Sequence, residues 1–151
     1  MFIVVDDANK CRLYKADTLT VQVRAELPDN SAPLLTVAST NVDLPFVNNE
    51  QDLFVGQQIS LGINSVDTDV APADHLVVEM LSAEGSVEPV GYVFEPAEGT
   101  GNVQTTFTWN TDCSIFVDGV YENHYKFVFR TFDDRCQSAK ADTVEVAFTI
   151  R

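Results

Sequence analysis

Two-residue alternation of apolar and polar side chains is the feature that most limits what this chain can become. Val144, Val146, Phe148 and Ile150 alternate with Glu145, Ala147, Thr149 and Arg151, and Val103, Thr105, Phe107 and Trp109 alternate with Gln104, Thr106 and Thr108. Tyr125, Phe127 and Phe129 alternate with Lys126, Val128 and Arg130, and Ile59, Leu61 and Ile63 with Ser60, Gly62 and Asn64; Leu76, Val78 and Met80 form a shorter version. Side chains leave a strand on alternate sides, so each pattern predicts a strand with one buried face. Turn residues separate the patterns: Gly56, the stretch 67–74, Glu84-Gly85-Ser86, the stretch 96–101, Asp118-Gly119 and Asp133-Asp134. No window sustains a helical period with a cap. About seven short strands in about 120 residues predict an all-β, Ig-like antiparallel β-sandwich.

Composition narrows the function. The 151 residues are enough for one typical domain, and 45% of them are hydrophobic, so a core can be buried. With 23 Asp and Glu against 9 Lys and Arg, the net charge is -14. A chain this acidic has no basic surface with which to release counterions from nucleic acid or to dock on anionic lipid. Clustered carboxylates leave a bound cation open. The apolar opening run 1–5 ends at Asp6-Asp7 and is too short for a signal peptide, and no apolar stretch is long enough for direct membrane insertion as a helix.

The chain also repeats itself. Val5-Asp6-Asp7, then Cys11, then Lys15-Ala16-Asp17-Thr18-Leu19 is matched by Phe132-Asp133-Asp134, then Cys136, then Lys140-Ala141-Asp142-Thr143-Val144. Between Asp-Asp and Cys the first copy carries two extra residues, a difference of loop length. This reads residues 1–26 as the last hairpin of a preceding repeat and residues 27–151 as a complete following one, as in an array whose units touch their neighbours. The alternative is chance likeness of two strand-turn-strand segments. The repeat also accounts for an odd number of cysteines, three in all. Cys113 and Cys136 are expected to form a disulfide within one unit, worth about 2–4 kcal/mol. Cys11, the counterpart of Cys136, then stays unpaired here, and the compartment is oxidising. The competing reading is three unpaired thiols in a reducing compartment.

The segment Phe107-Thr108-Trp109-Asn110-Thr111-Asp112-Cys113, followed by Tyr125 through Asp134, Cys136 and a closing alternating strand, resembles a repeat of giant secreted surface proteins of gliding Bacteroidetes, the SprB-type adhesins. The resemblance covers roughly residues 100–151 and part of the N-terminal tail. It implies Ig-like, cadherin-like or PKD-like units, type IX secretion, and an extracellular, cell-surface adhesin in which repeats act as stalk or adhesive unit during attachment and gliding. Leu27-Pro28-Asp29-Asn30-Ser31-Ala32-Pro33 and Val66-Asp67-Thr68-Asp69 resemble the linker and Asp-x-Asp elements of cadherins.

Among candidate sites, Ca2+ is the sharpest. It takes six to eight oxygens. Asp67, Asp69 and Asp74 share one loop, with Asp29, Asn30, Asp133 and Asp134 as partners from the linker and a strand end. The bland alternative is a set of solvated turn residues, which Asp favours. His75 and His124 lack neighbours at zinc-ligand spacing, and no Gly-x-Ser-x-Gly is present. The chain is therefore expected not to be an enzyme. Trp109 is expected in the core with Tyr125, Phe127 and Phe129, packed on the Cys113–Cys136 bridge as in Ig domains. Tyr125, or else Tyr121, is expected to act as a corner tyrosine bonded to backbone. Phe132 is expected to face outward, as a contact between repeats or, alternatively, as a sticky surface aromatic. Expected partners are neighbouring repeats and a surface glycan or protein. The rival function is a carbohydrate-binding module, for which Tyr92, Phe94 and Tyr121 are the plausible aromatics, though they do not space as a platform.

Overall fold

The computed structural model describes residues 2–5, 16–26, 29–41, 46–69, 73–117, 119–135 and 139–151. Among the described residues there are eleven strands: β1 (Phe2–Val5), β2 (Ala16–Leu19), β3 (Leu34–Ser39), β4 (Glu50–Leu53), β5 (Gln58–Val66), β6 (His75–Gly85), β7 (Tyr92–Phe94), β8 (Ala97–Thr100), β9 (Asn102–Asn110), β10 (Asn123–Asp133) and β11 (Ala141–Ile150). One 3-10 turn spans Cys113–Ile115. Residues 29–151 form two sheets, ordered β3-β5-β9-β7 and β4-β11-β10-β6-β8. These are the two sheets of an Ig-like sandwich. All pairings within them are antiparallel except β11 with β4, which run parallel.

The alternating residues meet between the sheets. Ile59, Leu61 and Ile63 from β5 and Phe107 and Trp109 from β9 face Phe127 and Phe129 from β10 and Val146, Phe148 and Ile150 from β11. Trp109, Phe107, Phe127 and Phe129 are fully buried. Phe107 packs tilted on Phe127 at 4.7 Å and Trp109 edge-on to it at 5.2 Å, while Phe107 and Phe148 stack. Such contacts add to burial because ring edges and faces carry opposite partial charge.

Tyr125 is the corner tyrosine. Its hydroxyl donates to the Ile115 carbonyl, and its ring meets Trp109 edge-on at 5.0 Å and 77°. Burial holds its phenol proton above the usual tyrosine range. Gly85 pairs across the sheet with Tyr125, and a Cβ there would sit 2.1 Å from the ring. Only a residue without a side chain leaves that ring its place.

Cys113 lies exposed as a free thiol in the 3-10 turn that precedes β10. Its expected partner Cys136, and Cys11, fall outside the described residues. Trp109 packs on Tyr125, and its Nε1 donates to the Val90 carbonyl at 2.7 Å. Phe132 lies on the outer face of β10, as expected, half-buried and with the Arg130 guanidinium 5.0 Å from its ring.

Strand β4 carries an anomaly. Gln51 is buried, and neither its Oε1 nor its Nε2 has a hydrogen-bond partner. A buried amide without partners costs about 1–3 kcal/mol. Gln51→Met keeps the shape and removes the polar atoms, so it is expected to raise stability by about 1 kcal/mol or more, read as an upward shift of the urea midpoint. A lower midpoint would show that the amide is satisfied in solution.

The N-terminal hairpin forms a separate two-stranded sheet. Its register pairs Val5 with Ala16 and Phe2 with Leu19. In the main body Phe132 pairs with Ala141 and Phe129 with Val144. The residues aligned by the sequence repeat thus hold corresponding places in the two hairpins. Leu19, Val21 and Val23 are exposed.

Candidate functional site

Three segments converge at one end of the sandwich: the linker 29–31, the loop 67–74 and the turn after β10. Asp67 shapes the loop, accepting from the Asp69 N–H at 2.9 Å and the Asp74 N–H at 2.6 Å. The loop is tied to the turn between β8 and β9, where the Asp67 N–H donates to Gly101 O and the Gly101 N–H to Asp74 O. Gly101 sits at φ +76°, a left-handed conformation glycine adopts without steric cost. This folding gathers Asp67, Asp69 and Asp74 so that one carboxylate oxygen from each lies within 4.8 Å of the others.

Arg135 enters this cluster. Its Nη1 lies 3.1 Å from Asp69 Oδ2 and its Nε lies 3.2 Å from Asp74 Oδ1. The same Nη1 donates to the Asp29 carbonyl at 3.0 Å. Arg135 and its two carboxylate partners are nearly buried, with side chains at most 13% exposed. Asp69 also accepts from the Ser31 N–H, so one carboxylate links the linker to the guanidinium.

Asp74 is the least satisfied member. Its residue is 8% exposed, and its Oδ2 has no hydrogen-bond partner. Burial raises its pKa above the usual carboxylate value; Arg135 opposes this, and the neighbouring Asp67, Asp133 and Asp69 add to it.

The seven expected ligands divide. Asp67, Asp69 and Asp74 form the cluster. Asp29 contributes a backbone carbonyl to Arg135. Asn30 donates through Nδ2 to Asp133 at 3.2 Å. Asp133 is buried and accepts from the Arg135 and Lys140 N–H groups, so it holds the turn. Asp134 is exposed and lies 3.7 Å from His75 Nδ1.

Sequence reasoning missed three participants. Besides Arg135, Lys140 Nζ donates to the Asn30 carbonyl. Asp142 Oδ2 accepts from the Leu35 N–H at 2.9 Å, where β3 begins. Lys140 and Asp142 belong to the repeated Lys-Ala-Asp-Thr. Its recurrence was the available signal, and its work here is to hold the incoming linker. The aromatics of the rival reading do not share a face, in line with their spacing. Tyr92 and Phe94 pack inward on Phe127 and Phe129, and Tyr121 is 92% exposed on a separate loop.

Fold and site together define an all-β, Ig-like sandwich whose entering linker is bound by an arginine–carboxylate cluster. No protein-family model matches the chain, and no curated protein matches it by sequence. Among solved structures it is similar to AggA, the major subunit of aggregative adherence fimbriae type I from Escherichia coli. That match has a TM-score of 0.45 and 8% identity, and covers 83% of this chain and 98% of the other. Among the described residues, no helix is long and apolar enough to cross a membrane.

Proposed function

We propose that this chain is a non-enzymatic, extracellular spacer unit of a cell-surface adhesin built from tandem repeats. The observation that carries this reading is the second hairpin, whose register reproduces that of β10 and β11 at the positions the sequence repeat aligns. Residues 1–26 then belong to one unit and residues 27–151 to the next. The linker cluster supports a mechanical role, because it fastens the entering chain to both the loop and the turn. A spacer that fixes its entry angle transmits force along the array rather than bending at each joint. The resemblance of residues 107–134 to repeats of gliding adhesins extends the proposal to surface attachment, gliding and type IX secretion.

The cluster is also the proposed Ca2+ site. The partnerless, buried Asp74 Oδ2 supports it, beside the nearby oxygens of Asp67 and Asp69. Ca2+ would contribute by neutralising carboxylates that Arg135 balances only in part.

Antibodies raised against the folded chain are expected to label intact cells of the source organism. Labelling only after permeabilisation would overturn the surface assignment.

A further inference from the structure

The outer face of the sheet β3-β5-β9-β7 holds an open trough of about 590 Å3. Its floor is a row across three strands, Ala38 paired with Gly62 and Gly62 paired with Thr106. Three neighbouring strands span about 10 Å. One wall is the next row, Thr36, Asn64 and Gln104; the other includes Thr108 and Val93, with Glu95 at the rim.

Gly62 is the telling residue. It lies within β5, an interior strand, where glycine costs about 0.5–1 kcal/mol against alanine. Its φ is not left-handed. A Cβ there would meet its nearest atoms, Thr40 Cγ2 and Ala38 O, at 3.6 and 3.9 Å, which is ordinary contact. Unlike Gly85, this glycine is required by neither the backbone nor the packing of the chain. What it does is leave the sheet backbone bare at the trough floor, as close approach by a ligand requires.

The lining chemistry names the ligand class. Apolar surface from Ala38, Ile63, Val93 and threonine methyls makes up most of the lining, interspersed with threonine hydroxyls, two amides and one carboxylate and with no cation; a sugar, with apolar C–H faces and hydroxyl edges, matches that mixture. The net charge of -14 opposes a polyanion. Asn64 and Gln104 place side-chain amides beside the floor. We infer that this trough binds a neutral oligosaccharide, its hydroxyls paired with Thr36, Asn64, Gln104 and Thr106 and one ring lying over Gly62. Without an aromatic platform each site is weak, of millimolar order, and an array would raise avidity through effective concentration. This inference does not depend on the spacer reading.

The test is an amide NMR titration of the whole chain with neutral hexasaccharides of glucose, mannose and galactose, and with an alginate hexamer as the anionic control. At least one neutral sugar is expected to shift the amides of Thr36, Gly62, Gln104 and Thr106 at millimolar concentration, and alginate to leave them unmoved. Gly62→Ala is expected to keep or raise the melting temperature while weakening that sugar by about tenfold. Ala38→Arg, at an exposed edge-strand position, is expected to block the trough with the fold intact. Three results would overturn the inference: no shift from any neutral sugar, binding unaffected by both substitutions, or trough amides that shift with protein concentration alone, which would mean a second copy covers the face.

Discussion

Trp109→Ala is expected to lower the unfolding free energy by about 3–5 kcal/mol. That is a large share of the total for a single domain. The indole is fully buried and touches Tyr125, Phe127 and Phe148 with ring centroids 5.0–6.0 Å away, so truncation opens a cavity those rings cannot all close. It also strips the Val90 carbonyl of its donor. Val90 leads into β7, so the edge strand of that sheet should loosen with it. Tyr125 would lose the ring that holds it over Gly85. Urea unfolding followed by far-UV circular dichroism checks the prediction, with hydrogen exchange at Tyr92–Phe94 as the local readout. A loss below about 1 kcal/mol would mean that the corner is held by the Tyr125–Ile115 bond rather than by the aromatic cluster.

The reason so much of this core was legible lies in β5, β9, β10 and β11. They alternate strictly, and tertiary structure buries the apolar face each of them displays. Strands β3, β4 and β8 were not legible. β3 opens on adjacent leucines, of which one is buried and one exposed. β4 has four residues and turns Gln51 inward. β8 is Ala-Glu-Gly-Thr, with no apolar period, and exists because β6 offers it an edge. At the linker end, Asp-x-Asp marked the right loop because side chains so spaced fold back on their own backbone. Arg135 lies far along the sequence from that loop, and only the packing of β6 beside β10 brings them together.

Arg135→Ala is expected to cost about 3 kcal/mol near neutral pH, because removing one partner leaves nearly buried charge without compensation. The loss should fall on the linker end: Asp69, Asp74 and the Asp29 carbonyl lose a shared donor, and the linker is left to Asp133, Lys140, Asp142 and the Ser31 N–H bond to Asp69. The pH dependence follows from Asp74. Its folded pKa lies above 3.8, and Arg135 is the one neighbour pulling it down. A carboxyl raised on folding contributes stability that is fully present below its unfolded value and lost as pH rises through its folded value. Without Arg135 the folded value rises further. The melting-temperature gap between parent and variant should therefore narrow as pH falls from neutral toward 3.8. Ca2+ should act in the same direction, since a divalent cation among Asp67, Asp69 and Asp74 replaces the lost positive charge. The variant is expected to gain more in melting temperature from Ca2+ than the parent does, and a chelator should reverse the gain. A gap that ignores both pH and Ca2+ would leave Arg135 as a hydrogen-bonding tether for the linker and would end the calcium reading of the cluster. A narrowing with pH but not with Ca2+ would keep the electrostatic account and make the guanidinium the cluster's own cation.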